Sequence, residues 1–181
     1  MKRFLFVVLS ILICVSSAGQ TVAGEEKTWT GEWQYAFSPE GRKAWRPEFT
    51  LRFNYGLFAT GAAFTGGVRV DSKRTLGLMV WQSEIWLDDV PAIVKTVSAG
   101  LYMRRYFHLG KRDIIALYSD LAVGAKYVYR ASENDRYKKD DVLFTAVWQP
   151  GIRLRLLWNV HAFVGPMIST ESLGLHFGIG F

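Results

Sequence analysis

The last nine residues, Leu173 to Phe181, constrain the fold more than any other stretch of this chain. They read L-G-L-H-F-G-I-G-F, so every odd position is large and apolar and every even position is glycine or histidine. Because successive side chains of a strand point to opposite faces, this period of two predicts a strand with two unlike faces. The apolar face continues to Phe181 itself, where a water-soluble protein usually ends in a polar, frayed tail. The pattern therefore predicts a terminal strand with one face in lipid.

The composition is compatible with a membrane barrel and not with a bundle of membrane helices. The chain has 181 residues, of which 50% are hydrophobic and 21% are charged. A transmembrane helix needs about twenty consecutive apolar residues, and the sequence beyond its N-terminus contains no such run. A transmembrane strand needs only about ten residues that alternate.

The N-terminus has the pattern of an export signal. Met1-Lys2-Arg3 supply positive charge, residues 4–15 form an apolar core, and small residues follow as far as Gly24. We assign residues 1–23 to the signal, with cleavage between Ala18 and Ala23. A retained anchor is disfavoured because a core of about twelve residues is too short to span a bilayer. Cys14 lies in the core, so its removal leaves no cysteine for a disulfide or a thiolate metal site.

The basic charge of the chain does not indicate nucleic-acid binding. The formal net charge is +6, and removal of Lys2 and Arg3 with the signal leaves +4. The basic residues are scattered singly along strands and do not form a patch. We therefore expect no nucleic-acid partner.

Residues 24–47 form an N-terminal extension before the regular strand pattern. Within it, residues 29–37 alternate aromatic and polar side chains, which is compatible with a short extra strand. Residues 42–47 then bring basic side chains and a tryptophan to a potential membrane surface.

From Glu48 onward the sequence predicts eight strands, and residues 48–181 form the barrel. The period-two segments are about 48–58, 60–71, 75–87, 93–107, 113–130, 141–158, 160–168 and 173–181. The charged run 131–141 is predicted to be an exposed hairpin loop, and Pro150-Gly151 suggests a bulge in the sixth strand. In the third strand, Met79, Trp81 and Ile85 are predicted to face outward, opposite Gln82 and Glu84.

The two faces of these strands indicate which side meets lipid. Open strand edges are excluded from hydrocarbon because unpaired backbone groups are costly there, so the sheet must close on itself. Glycines and isolated charges on the second face suit a narrow lumen. The residues predicted to face lipid are Ile115, Leu117, Leu121, Val123, Phe144, Ile152, Leu154, Leu175, Phe177 and Ile179.

The inward charges are predicted to form a network that plugs the lumen. Eight strands leave no room for a wide pore, and buried acids should pair with the arginines. If the fifth and sixth strands pair Arg130 with Asp141, Asp120 lies opposite Gly151 and can pair with Arg153, with Arg155 or Arg104 as second partner. The excess of bases keeps a narrow anion conduit open as an alternative. The predicted network comprises Arg52, Glu84, Arg104, Asp120, Lys126, Arg153 and Arg155.

An export signal, eight two-faced strands and an aromatic-ended last strand together resemble the small outer-membrane β-barrels typified by OmpA and OmpX. The resemblance covers about residues 48–181. It implies an all-β, up-and-down antiparallel barrel in the outer membrane of a Gram-negative-type bacterium, in contact with outer-membrane lipid. It also implies that the barrel-assembly machinery reads Phe177, Ile179 and Phe181. We expect a monomer, although the sequence does not fix the oligomeric state, and the short outer loops argue against an adhesin.

Nothing in the sequence indicates a catalytic, cofactor-binding or metal site. A nucleophilic serine needs a base within hydrogen-bond reach, and no H-x-S pattern occurs among the three histidines. The sequence therefore predicts a structural envelope protein with no cofactor and no enzymatic activity. A lipid A-modifying enzyme that uses His161 or His176 is the rival function, and a soluble secreted barrel is the rival fold.

Overall fold

The structure is a computed structural model that describes residues 29–87, 90–109, 114–131 and 138–181. The predicted export signal, including Cys14, lies outside the described residues. Within the ranges given above, no helix is long and apolar enough to cross a membrane.

Eight antiparallel strands form a closed barrel in which each strand pairs with the next along the chain and β8 returns to β1. The predicted all-β meander is therefore confirmed. At the seam, the Phe49 N–H donates to the Phe181 carbonyl over 2.9 Å and the Phe181 N–H donates back over 3.0 Å. The strands are β1 (Arg46–Gly56), β2 (Ala59–Arg69), β3 (Arg74–Leu87), β4 (Val90–His108), β5 (Ile115–Arg130), β6 (Val142–Leu157), β7 (Val160–Ser169) and β8 (Leu173–Gly180).

Residues 29–37 are helical, so the extra strand considered for them is wrong. Helix α1 spans Trp29–Phe37 and the short helix α2 spans Pro39–Arg42. Closure of the barrel leaves no strand edge for this segment to pair with, and a helix satisfies its backbone groups internally. Ser38 caps α2 by accepting a hydrogen bond from the Gly41 N–H over 3.1 Å, and the Trp45 indole donates to the Ala36 carbonyl over 3.0 Å.

The outward face matches the predicted lipid-facing set. Nine of those ten side chains are among the exposed large hydrophobic residues, and Leu121 is partly exposed. The exposed fraction is 68% at Leu101 and 65% at Phe144. In water such a surface would be strongly destabilising, and in a bilayer it is the contact surface.

The predicted orientation of β3 is reversed. Met79, Trp81 and Ile85 lie in the barrel interior, each at most 3% exposed, whereas Leu78 and Val80 face outward. Both faces of this strand carry large apolar residues, so alternation alone did not distinguish them. Large apolar side chains fill the barrel interior beside the charged ones, and β3 contributes several of them.

Cross-strand glycines allow the backbones of adjacent strands to approach closely. Gly100 of β4 lies opposite Gly124 of β5. A Cβ added to Gly100 would lie 2.3 Å from the Val123 carbonyl oxygen, and one added to Gly124 would lie 2.1 Å from the Ala99 oxygen. Any larger residue at either position would force the two strands apart.

The bulge predicted at Pro150-Gly151 is wrong. The ladder between β5 and β6 runs through Pro150 without a register shift, and irregularities occur elsewhere, including one at Arg155/Leu157. On the β7 side, residues 149–151 of β6 do not pair with β7. Pairing begins again at Ile152 in the same register as at Trp148. Because proline lacks an N–H, it weakens one ladder here without displacing the strand.

Candidate functional site: the charged lumen

The candidate site is a group of charged and polar side chains that converge inside the barrel. We call Glu48, Arg52, Arg104, Asp120 and Gln149 the lumen cluster. They come from β1, β4, β5 and β6, each from the inward face. Arg52 and Arg104 are 0% exposed, and Asp120 is 2% exposed. Full burial of charges requires that they satisfy one another.

Asp120 is the centre of the lumen cluster and has two arginine partners. The Arg104 Nε and Nη2 atoms donate to its two carboxylate oxygens, each over 2.8 Å. Arg52 Nη2 lies 2.6 Å from Asp120 Oδ2. Arg104 is also the direct cross-strand neighbour of Asp120, which explains why the ion pair is bidentate.

Glu48 is a second acid in the lumen cluster, and the sequence prediction missed it. Arg104 Nη1 bonds to Glu48 Oε1, which also accepts a hydrogen bond from the Tyr106 hydroxyl over 2.6 Å. The Thr75 hydroxyl donates to Glu48 Oε2 over 3.1 Å. Glu48 is the first residue of the predicted strand. Because it is an even number of residues from the inward-facing Arg52, the sequence could have placed it on the inward face.

Amide side chains extend the lumen cluster across the barrel. Arg52 Nη1 donates to Gln149 Oε1 over 2.9 Å, and Gln149 Nε2 donates to Asn54 Oδ1 over 2.9 Å. This chain of bonds connects β1 with β6, although the two strands are not neighbours in the sheet. The lumen is therefore bridged from wall to wall at this level.

Aromatic side chains cover the lumen cluster on the side where β1 begins and β8 ends, which we call the terminal end. The Arg104 guanidinium carbon lies 4.7 Å from the Phe163 ring centroid, and that of Arg52 lies 5.2 Å from the Tyr118 centroid. Arg153 lies over Tyr106 at 4.6 Å. These distances are within the range of cation–π attraction.

An apolar layer covers the opposite side, toward the end where β5 ends and β6 begins, which we call the loop end. Its members are buried and pack together: Ala63, Met79, Trp81, Tyr102, Ala122, Val147 and Met167. The charges therefore lie between two layers of large side chains. Burial between these layers lowers the local dielectric constant, which strengthens each ion pair.

The predicted network residues fall into three groups. The first group is buried in the lumen, and its three arginines each lie beside an aromatic ring: Arg52, Arg104, Arg153 and the acid Asp120. Lys126 is also buried, and it forms a separate ion pair of 2.9 Å with Glu171 toward the loop end.

Glu84 and Arg155 do not lie in the lumen. Glu84 faces outward beside its cross-strand neighbour Lys95, with 2.5 Å between Oε1 and Nζ, because the whole face assignment of β3 was reversed. Arg155 has the inward parity but is exposed at the terminal end, where its Nε donates to the Trp158 carbonyl over 2.7 Å. The strand has left the enclosed part of the barrel at that level.

The register that suggested an Asp120–Arg153 pair is wrong by two residues. Asp120 lies opposite Gln149, and Arg153 lies opposite Ala116. The two arginines that reach Asp120 are instead Arg104 and Arg52. Arg104, considered only as a second partner, is its main one.

The histidines show no arrangement suited to nucleophilic catalysis or metal binding. His176 is 0% exposed, and its Nε2 bonds to the Tyr118 hydroxyl. His161 is inward and partly buried, and His108 Nε2 lies 2.8 Å from the Ser72 carbonyl oxygen at the terminal end. In the described part of the chain, no group of three or more His, Cys, Asp or Glu residues is placed to hold a metal ion.

The three residues of the predicted assembly signal lie on the outer face. Phe177, Ile179 and Phe181 are 54%, 48% and 59% exposed. The Phe177 ring stacks on Phe53 of β1 with 5.7 Å between centroids. Their role in assembly stays a prediction.

Comparison with known proteins identifies a fold but no sequence family. No protein-family model matches the chain, and no curated protein matches it in sequence. It is similar to the N-terminal β-barrel domain of OprF from Pseudomonas aeruginosa, with 14% identity and a TM-score of 0.52 over 75% of this chain and 95% of that one. It is also similar to Neisserial surface protein A, with 10% identity and a TM-score of 0.49 over 75% of this chain and 94% of that one. The OprF likeness and the closed topology confirm the eight-stranded barrel expected from the resemblance.

Proposed function

We propose that this chain is an integral outer-membrane barrel with a structural role in the envelope, a closed polar lumen and no enzymatic activity. The observation that carries the proposal is the inversion of its surfaces: the apolar side chains face outward, and fully buried charges occupy the interior. A soluble barrel of this size has the opposite arrangement.

The height of the apolar belt supports a transmembrane position. On the outer face of β4, Lys95 and Arg105 flank an uninterrupted apolar run whose two middle members are Ala99 and Leu101. The about ten residues between the two charges, at about 3.4 Å each and with a tilt of about 40°, span about 25 Å along the barrel axis. That is the height of the apolar band of outer-membrane barrels.

The lumen cluster supports a closed barrel. Its arginines hold an acid between them, amide groups bridge the remaining width, and apolar layers close both sides. The rival is a narrow anion conduit, and it is favoured by one observation: three arginines, Arg52, Arg104 and Arg153, are buried beside two acids, Glu48 and Asp120.

Two measurements test the proposal. Insertion predicts heat-modifiable migration on a detergent gel and recovery in the outer-membrane fraction, and recovery in the soluble periplasmic fraction would refute it. For the lumen, we expect no stable single-channel conductance from the wild type in planar bilayers. The Arg104→Ala/Asp120→Ala variant, which empties the centre, should show conductance steps. Steady, anion-selective current through the wild type would favour the conduit.

The absence of enzymatic activity is supported by the burial of His176, which leaves no access for a lipid acyl chain. Mass spectra of lipid A from cells with and without the protein should be identical. A change in acylation that is lost in His161→Ala or His176→Ala would show a lipid-modifying enzyme instead.

A further inference from the structure

We propose that the barrel wall opens sideways at one built-in weak point between β6 and β7, and that a hydrogen bond between Tyr118 and His176 holds it closed from inside. The weak point, which we call the proline gap, consists of residues 149–151 of β6 and 165–167 of β7, where the two strands do not pair. We call the Tyr118–His176 bond the strap. Only the surroundings of the gap, the hydrocarbon of a bilayer, rest on the proposed function.

Two prolines lie opposite each other in the proline gap. The paired positions on either side of the gap share one register, and that register places Pro150 opposite Pro166. Hydrogen-bonded and non-hydrogen-bonded pairs alternate along an antiparallel ladder. The Thr170 N–H donates to the Ala146 carbonyl over 3.0 Å, so every second pair counted from there is a hydrogen-bonded one. The proline pair falls on such a position, and because proline has no N–H, both of its hydrogen bonds are absent.

The loss of backbone hydrogen bonds is confined to one ladder. Through Pro150, β6 pairs with β5 without interruption, and through Pro166, β7 pairs with β8 without interruption. In the strands that the structure describes, the other seven ladders have register shifts only near their ends. Proline within sheets is normally confined to edge strands and bulges. Two opposed prolines therefore give this closed barrel a short internal edge.

Four inward positions in one row across β5 to β8 carry the strap. Tyr118 of β5 lies opposite Gly151 of β6, and His176 of β8 lies opposite Gly165 of β7. The register of β6 and β7 places the two glycines opposite each other, inside the proline gap. The row therefore reads tyrosine, glycine, glycine, histidine, and the glycines leave space over the backbone for both rings.

The two rings of the strap meet over these glycines. The Tyr118 hydroxyl bonds to His176 Nε2, and the two ring centroids are 5.9 Å apart. A Cβ added to Gly151 would lie 2.8 Å from the Tyr118 hydroxyl oxygen, so the tyrosine lies directly against the backbone of the gap. One added to Gly165 would lie 2.1 Å from the Pro150 carbonyl oxygen. The strap thus joins β5 to β8 across the two strands that lack bonds to each other.

Burial makes the strap costly to break. Tyr118 is 2% exposed and His176 is 0% exposed. A hydrogen bond between such buried groups leaves both of them unsatisfied when it breaks, so it opposes any separation of β5 from β8. The Phe163 ring also packs edge-to-face on Tyr118 with 5.2 Å between centroids, which holds the tyrosine in place. Side chains therefore replace the missing backbone bonds on the inner side of the gap.

The outer side of the proline gap lies within the apolar surface of the barrel. Pro150 and Pro166 face outward, and their neighbours on that face are large and apolar: Trp148, Ile152, Val164 and Ile168. No backbone bond of the proline pair has to break when the wall opens here. Opening at this level would connect the lumen sideways with lipid and not with the water at either end.

The test is amide hydrogen exchange of the full-length barrel, resolved by residue, in phospholipid vesicles and in detergent micelles. Ile152 and Val164 form the first bonded pair beyond the prolines, and Leu101 and Val123 pair within the continuous β4–β5 ladder as the reference. Because exchange reports local opening, we expect the gap amides to exchange faster than the reference amides.

Tyr118→Phe removes the strap bond and keeps the ring. Exchange at Ile152 and Val164 should become about three- to tenfold faster, the effect of one net hydrogen bond, while the reference amides stay unchanged. The matched control is Thr65→Val, which removes a buried hydroxyl bonded to Thr50 between β1 and β2. It should leave exchange at the gap unchanged.

Replacing the prolines separates a strap from an ordinary buried hydrogen bond. Pro150→Ala/Pro166→Ala supplies both missing N–H groups, so the ladder can close and exchange at the gap should slow to the reference rate. In this background, Tyr118→Phe should change exchange at the gap by less than about twofold, because the restored backbone bonds now hold the two strands together.

Four outcomes would overturn the inference. These are equal exchange of gap and reference amides in the wild type, an unchanged gap in Tyr118→Phe, an equal acceleration in Thr65→Val, and no slowing in the double proline variant. If Tyr118→Phe does not fold, the wild type and the proline variant still decide. A protein that folds in micelles but does not insert into vesicles would instead refute the proposed function, and the gap would still be tested in the micelles.

Discussion

Asp120→Asn is the substitution with the most predictable effect on stability. In the folded barrel, Asp120 accepts two bonds of 2.8 Å from Arg104 and lies 2.6 Å from an Arg52 nitrogen. Arg104 keeps Glu48 when the carboxylate is lost, but Arg52 is left with neutral neighbours, the Gln149 amide and the Tyr118 ring. An uncompensated buried charge costs about 3–5 kcal/mol, and we expect a loss of that size.

The assay is a double-mutant cycle of Asp120→Asn with Arg52→Gln, read by urea unfolding in detergent or lipid vesicles. Because the second substitution removes the charge that the first leaves unpaired, the double variant should be more stable than the sum of the single losses implies, by about 1–3 kcal/mol. Lys95→Gln, which breaks the exposed pair with Glu84, is the control and should cost at most about 1 kcal/mol. Additive losses, or a control as costly as Asp120→Asn, would refute the reasoning.

Three further substitutions test the membrane face and the strand spacing. Leu101→Arg, at the centre of the apolar belt, should cost about 2–4 kcal/mol in bilayer unfolding, and an unchanged midpoint would mean that this face is not in lipid. Ser119→Ala removes the acceptor of the outward Trp148 indole, which donates to it over 2.9 Å, and should cost about 1 kcal/mol, whereas Ser119→Thr keeps the hydroxyl and should not. Gly124→Val should prevent formation of the heat-modifiable folded band, because its Cβ has no room against β4, and normal folding would contradict the close approach.

Alternation predicted most of the strand faces because most strands have large apolar residues on one face only. In β8, glycine and His176 alternate with large apolar residues, and the structure confirms both faces. In β3 the same rule failed, because Trp81 fills the lumen while Leu78 faces outward and both are apolar. Glu84 lies opposite Lys95 of β4, and the two have opposite charges. Because Lys95 is on the outward face of β4, this pair indicates that Glu84 and the other even-numbered residues of β3 face outward.

Residues that converge from distant strands could not be predicted from sequence pattern alone. Gln149 bonds to Arg52 across the lumen, 97 positions along the chain, and nothing local to either residue indicates the other. The same holds for the contact between Glu48 and Tyr106. Such contacts depend on the stagger of the closed barrel, which period-two patterns do not encode.

The register between strands was the other unpredictable quantity, and the reason suggests a role for the buried charges. A slip of one residue turns every side chain to the wrong face, but a slip of two restores all the faces. The apolar pattern therefore cannot distinguish the native pairing from a two-residue slip, and the error in pairing Asp120 was of this size. The Arg104–Asp120 pair does distinguish them, because a slip of two would separate its charges inside the lumen. Fixing register is the best-supported use of a costly buried polar interaction.

Disulfide trapping tests whether the Arg104–Asp120 pair selects the register of β4 and β5. Ala99 lies opposite Ala125 on the outer face, and a two-residue slip would bring it opposite Tyr127. With cysteines at 99 and 125, the otherwise wild-type barrel should cross-link during refolding, whereas cysteines at 99 and 127 should not. In the apolar variant Arg104→Leu/Asp120→Leu, which removes both charges of this cross-strand pair, both cysteine pairs should cross-link because both registers now bury equivalent faces. If the variant still links only the native pair, hairpin turns and barrel closure fix the register without help from the buried charges.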